Sequence, residues 1–364
     1  MHPATAESIF PVSRPIHVSP RLRLPLASAR HRQALGILLR IPAISILFIL
    51  FLGRTRSAAV TLSSECKVVN DTAVALLANE RPTEAESRLS QFVLQRGPSA
   101  NNKLCLAVTF GNLAIALERT GKLDAADQAA RRSAKLFEET LGPNAPELCY
   151  PLRTLSQVMN QKGHYREAWK LLTRVEALPP AAPSDPAVNH GLRAILLEEK
   201  SELADAELEY RKSITAWERL GRGALPEVLP ELGNLASFYI QRQRIPEALT
   251  LLERALRITE TVSCDANVRV GTLAMLAFAH SLHRDDAEAE KYFQRGIDLL
   301  DSLPPAARAQ TGRKLYFAYS SFLAKVGRKK EAREAIRKAN ALFGRDPSGM
   351  SVDIDSWPLM ATQH

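Results

Sequence analysis

The sequence predicts an all-α fold, a right-handed superhelical solenoid of about seven helical hairpins. Three observations carry that expectation. A small residue returns at intervals of 38 to 43 positions, apolar residues recur at three- and four-residue steps between the returns, and no stretch alternates β-branched with polar residues.

The returning residues are Ala85, Ala126, Ala168, Ala206, Ala248, Ala289 and Ala332, spaced by 41, 42, 38, 42, 41 and 43 positions. Twelve residues before each stands a second small side chain, namely Ala73, Ala114, Ser156, Ala194, Ala236, Ala277 or Ser320. Small residues on both stretches let two backbones cross closely, and large ones fill the space beside the crossing. On the first stretch these are Leu76, Leu117, Met159, Leu197, Tyr239 and Leu323, with His280 the exception. On the second they are Leu89, Leu172, Tyr210, Leu252, Phe293 and Ile336, with Ala130 the exception. Between the stretches Gly121, Gly163 and Gly327 supply the backbone conformation that a tight helix–helix turn needs. A hairpin cannot bury its apolar stripe alone, so the units must stack. Unit four departs from the pattern, with His190 and Arg193 at expected apolar positions and Ser201 for the turn glycine.

The spacing of Phe110, Leu113, Ala114, Leu117, Gly121, Leu123, Ala126 and Ser133 resembles the tetratricopeptide repeat. The period here is longer than the common 34. "NLA" in the first helix and "LGPNAPEL" after the second make it similar to the kinesin-light-chain type of that repeat. The matching dipeptides are Asn112-Leu113 and Asn234-Leu235. The resemblance covers roughly residues 65–343 and implies a protein-binding array.

The chain divides into a targeting segment at 1–60, a repeat array at 61–345 and a tail at 346–364, expected to be disordered. The net charge is +9, of which the first 60 residues hold +7 in eight arginines and one acid. The remaining 40 basic and 38 acidic groups nearly balance along solvated helix faces. That distribution lacks the one-sided basic stripe of a phosphate binder, so nucleic acid is excluded as a partner.

Arg30, His31 and Arg32 precede an apolar core whose uninterrupted part, Ile41 to Leu52, is 12 residues long. That length is short for a membrane span and suits a signal peptide, and Ser57 and Ala59 offer a small-x-small cleavage pattern. The expected location is therefore exported, periplasmic or extracellular, with membrane anchoring if Leu35 to Leu52 is retained. The Pro- and Arg-rich leader also fits a transit peptide or a misplaced start, which would make the protein organellar or cytoplasmic.

The four cysteines, Cys66, Cys105, Cys149 and Cys264, have no CxxC spacing, which argues against zinc or a thioredoxin-like site. A Cys66–Cys105 disulfide is conceivable in an exported protein. Packed helices lie about 8–10 Å apart, and Cα atoms beyond about 7 Å cannot be bridged, so free half-buried thiols are expected.

His280 and His283 are the close histidine pair, but nothing nearby completes a metal set. Asp285, Asp286 and Glu288 read as negative charge at a helix start. "RKKEAR" at 328–333 reads as a solvated turn, and no GxSxG nucleophile motif occurs. No catalytic residue, metal site, cofactor or small-molecule substrate is expected, and the protein is read as non-catalytic.

What remains is surface. In a right-handed stack the first helices line the concave side, where unit two offers Asn112, Ile115 and Arg119. Unit three offers Arg153, Gln157 and Asn160 with Gln161 beside them, and unit five offers Asn234, Ser237 and Gln241. Asn and Gln carry both donor and acceptor, which suits an extended peptide backbone. In the proteins that this array resembles, the asparagine before the Leu-Ala step contacts peptide main chain, which marks Asn112 and Asn234. The expected function is a scaffold holding a peptide or protein partner in the groove. The alternative is an accessory or sensor subunit of an envelope, secretion or regulatory assembly.

Overall fold

The computed structural model describes residues 62–342, apart from 79–80, 97–101, 224 and 263. The segments read as address and tail lie outside the described residues.

Every regular element among the described residues is helical, and the helices pair into seven hairpins. Unit 1 is α1 (Ser64–Ala78) with α2 (Pro82–Arg96), unit 2 is α3 (Lys103–Arg119) with α4 (Leu123–Leu141), and unit 3 is α5 (Cys149–Gln161) with α6 (Tyr165–Ala177). Unit 4 is α7 (Asp185–Glu199) with α8 (Leu203–Arg219), and unit 5 is α9 (Leu229–Gln241) with α10 (Ile245–Thr261). Unit 6 is α11 (Ala266–Leu282) with α12 (Asp286–Ser302), and unit 7 is α13 (Pro305–Lys325) with α14 (Lys329–Ala341). Short 3-10 turns at Pro146–Leu148 and Pro226–Val228 lead into α5 and α9. The result is the expected all-α repeat solenoid.

All fourteen crossing positions are buried, twelve of them alanines and two serines. In unit 3 the Ser156 hydroxyl donates to the carbonyl of Ala168 at 2.8 Å, so the two crossing residues are bonded to each other. That bond satisfies a buried hydroxyl where units 1, 2, 4, 5 and 6 use a methyl group. Ser133 donates to Ala107 O at 2.7 Å and Ser213 to Ala187 O at 2.8 Å, tying second helix to first in units 2 and 4. At junctions 1–2, 2–3 and 6–7 consecutive first helices pack directly against each other.

Each first helix stops in the same way. The amides of Arg81, Lys122, His164, Glu202, Arg244, Asp285 and Arg328 donate to the carbonyls of Leu76, Leu117, Met159, Leu197, Tyr239, His280 and Leu323. This six-to-one bond closes a Schellman turn, and in units 2 to 7 the residue before the donor takes positive φ. Gly121, Gly163 and Gly327 have φ of 78°, 78° and 83°. Units 4, 5 and 6 hold Ser201, Gln243 and Arg284 there, at φ of 64°, 59° and 64°. A side chain in that region costs about 1–2 kcal/mol, partly offset by the larger unfolded-state entropy of glycine. Gln243→Gly and Arg284→Gly are each expected to raise stability by about 0.5–1 kcal/mol in thermal melts. A loss of stability would show that these side chains hold the turn.

The irregular residues of unit 4 are paired. His190 Nδ1 lies 2.6 Å from Glu209 Oε2. Arg193 Nε donates to Glu176 Oε1 at 3.1 Å and its guanidinium lies over the Trp169 ring. Polar contacts to α8 and α6 therefore replace the apolar ones.

The cysteine expectation is corrected. Cys66 and Cys105 form a disulfide with Cα atoms 6.0 Å apart, whereas Cys149 and Cys264 are free. Helix axes set the 8–10 Å spacing, but Cα atoms lie about 2.3 Å off each axis. Two residues facing each other are thus about 4–5 Å closer than the axes. Burial pushes the Cys149 thiol up to about 12, which leaves it a protonated core residue.

Candidate binding face on the first helices

The residues singled out on the first helices separate into two groups, according to whether the neighbouring unit already holds them. Asn112 is fully buried. Its amide donates to Asn70 Oδ1 of unit 1 at 2.8 Å, and Asn70 donates to Thr109 Oγ1 at 3.0 Å and Cys66 O at 2.9 Å. Asn112 therefore bonds the preceding repeat through its amide nitrogen, while its buried Oδ1 has no hydrogen-bond partner. Ser237 is likewise buried.

Arg153 is buried and bridges units 3 and 4. Its Nη1 donates to Asp185 Oδ1 at 2.8 Å, its Nη2 to Asp185 O at 3.3 Å and its Nε to Asn189 Oδ1 at 2.9 Å. The Asp185 carboxylate also accepts from the Ala182 amide at 2.8 Å. A buried ion pair needs such additional hydrogen bonds to offset desolvation. Arg153 is a structural tie, which corrects its reading as a groove residue.

Arg119 belongs to a recurring device. It donates to the carbonyl of Leu77, 42 residues earlier in the last turn of α1. Lys325 donates to Ser281 O across 44 residues, Arg242 lies 3.5 Å from Glu198 across 44, and Gln161 donates to Glu118 across 43. The cationic members sit at the negative end of the preceding first helix, where a positive charge is stabilising. Glu118 and Glu198 are both raised by burial, opposed in Glu118 by Gln161 and in Glu198 by Arg242. The signal in the sequence was a donor in the last turn paired one period back, a relation that a single-helix stripe does not show.

Four residues remain open to a partner. Gln157, Asn160 and Asn234 are half-buried and Gln241 is exposed. Asn160 Oδ1 and Asn234 Nδ2 have no hydrogen-bond partner. An amide oxygen and an amide nitrogen left unpaired so deep each cost roughly 1–3 kcal/mol unless something else bonds them.

One further buried acid was not foreseen. Glu231 on α9 is 2% exposed and lies against Gly191 of α7, where a Cβ would come 2.5 Å from its Oε2. Only glycine leaves room for that carboxyl. Burial pushes its pKa up to about 8, opposed by the Ser213 hydroxyl.

The residues considered for chemistry make packing, capping and ion-pair contacts within the array. The His280 ring stacks on Tyr292 with centroids 5.3 Å apart, and its Nδ1 is 3.5 Å from Asp285. Asp285 caps α12 by accepting from the Glu288 amide at 3.3 Å. Arg328 pairs with Glu331 at 2.7 Å in the turn before α14. Among the described residues no group of three or more His, Cys, Asp or Glu is placed to hold a metal ion.

Stacked hairpins with this crossing pattern and this turn define an all-α repeat protein. The tetratricopeptide-repeat family model matches residues 105–180 and 231–302, so those segments are tetratricopeptide-like. No curated protein matches the chain. Among solved structures it is similar to NprR in complex with its cognate peptide NprX, at 12% identity, TM-score 0.52, 83% of this chain and 85% of that one. It is also similar to a Rap protein complexed with Competence and Sporulation Factor, at 14% identity, TM-score 0.51 and 77% of both chains. A Podospora anserina protein of nearly identical TPR-like repeats, named as a kinesin light chain, matches at 18% identity and TM-score 0.32, over 65% of this chain and 94% of that one.

Proposed function

We propose that the protein is an exported, non-catalytic scaffold that holds an extended peptide or protein segment along its first helices. The observation that carries this reading is the set of amide side chains left uncommitted there. Gln157, Asn160 and Asn234 stand half-buried and Gln241 exposed on α5 and α9. An extended backbone supplies the complementary carbonyls and amides. The fold shared with NprR, solved with its cognate peptide, supports the same reading.

Export is supported by the short apolar core at 41–52 behind three basic residues and by the Cys66–Cys105 disulfide. Disulfides form and persist in oxidising compartments. No helix among the described residues is long and apolar enough to cross a membrane.

Two measurements test the proposal. Mass spectrometry of the native product is expected to find an N-terminus near Val60, and a product that keeps its first residues in the cytoplasm would overturn export. Once a partner is captured by affinity purification, Asn234→Ala and Gln157→Ala are each expected to weaken its binding by about 1–2 kcal/mol, or 5–30-fold. Unchanged affinity in both would place the partner elsewhere.

A further inference from the structure

Among the described residues the first repeat packs against the rest of the array through unit 2. Here a covalent bond stands at its edge. Cys66 lies in the first turn of α1, Cys105 in the first turn of α3, and the disulfide joins them across 39 residues, enclosing all of α2. Both sulfurs are buried, with Phe92 of the same cluster and Leu62 and Val69 packed around them. One turn further on, Asn70 links Cys66 O, Thr109 and Asn112 in a single buried network. At the far end of the hairpin the ties are of another kind: Arg119 to the Leu77 carbonyl, and Thr120 and Lys122 to Glu86 at 3.1 and 2.6 Å. Lys122 is more than half exposed in that pair, and such pairs contribute little.

We propose that the Cys66–Cys105 disulfide is a redox latch, which holds the first hairpin on the array when oxidised and releases it when reduced. When local opening of α1 bares the buried pair, a dithiol reductant attacks one sulfur through its thiolate, passes through a mixed disulfide, and leaves two protein thiols and its own disulfide. Released, α1 gives up the Asn70 network together with the crosslink, because both lie on the same edge. The binding face then starts at unit 2, with the Asn112 amide no longer held by Asn70. The latch goes beyond the binding proposal and does not depend on it, since its chemistry acts within units 1 and 2.

Hydrogen exchange on the full chain tests this, with the oxidised protein compared with protein reduced by dithiothreitol. Thiol alkylation reports the redox state in each sample. Amides of residues 64–96 are expected to exchange about 100-fold faster after reduction, while those of α9 to α14 keep their rates. Cys66→Ser with Cys105→Ser is expected to reproduce the reduced pattern without dithiothreitol. If that variant fails to fold, chemical reduction of folded protein still decides the question. Equal protection of 64–96 in both states would overturn the latch, as would a loss spread evenly over all seven units. So would alkylation of Cys66 and Cys105 in protein folded under oxidising conditions. Because the experiment is run in vitro, it stands or falls independently of where the protein resides.

Discussion

Arg153→Ala is expected to destabilise the array by about 3–5 kcal/mol, because it leaves the Asp185 carboxylate buried without its cation. Both side chains are under a tenth exposed. The guanidinium also holds Asn189, so three acceptors lose a donor together. Replacing both partners by apolar residues, Arg153→Met with Asp185→Leu, is expected to restore most of the loss, since a buried pair roughly breaks even against a hydrophobic equivalent. Denaturant unfolding of the two variants checks the claim. If Arg153→Ala changes stability by less than about 1 kcal/mol, the side chain is solvated. The groove reading of Arg153 would then return.

Stability is expected to fall as pH rises from about 5 to 8, with Glu231 the main cause. Its native carboxyl titrates near 8, against an ordinary value of 4.5. Below 4.5 both native and unfolded states are protonated and the group contributes no pH dependence. Between 4.5 and 8 the unfolded chain releases a proton that the native chain retains, so the folded state loses ground with each unit. Above 8 both are ionised and the loss reaches a plateau of about 3–5 kcal/mol. Glu118 and Glu198 are raised in the same direction by burial and add to the slope. Glu231→Gln is expected to remove most of this dependence, read from unfolding curves at pH 5 and pH 8.5. A slope unchanged by Glu231→Gln would show that the carboxyl ionises freely in the native state.

The architecture was legible because it rests on residues whose size alone decides. An alanine at 114 or 236 must be small for two helices to cross, and the return of that requirement along the chain marks every unit. The turn was half legible. Glycine announces positive φ at 121, 163 and 327, but Ser201, Gln243 and Arg284 take the same conformation without announcing it. The binding face was harder for a physical reason. A polar residue on the inner stripe looks the same whether it faces water or bonds to the next unit. Asn112 is decided by Asn70, one period back, and Arg153 by Asp185 on α7. Those partners lie outside the helix on which the stripe is drawn. The disulfide was hidden by reasoning from axis spacing where the Cα separation decides.

The central claim is that the first helices bind a partner and the second helices do not. Photo-crosslinking from single sites tests it most directly, with benzoylphenylalanine placed at Gln157 and Gln241 on α5 and α9. The controls are Arg132 and Lys170, exposed on α4 and α6. The account predicts one discrete adduct from Gln157 and Gln241, lost on Asn234→Ala, and none from Arg132 or Lys170. Adducts from the second helices alone, or none from any site in cells producing the protein at native level, would contradict it.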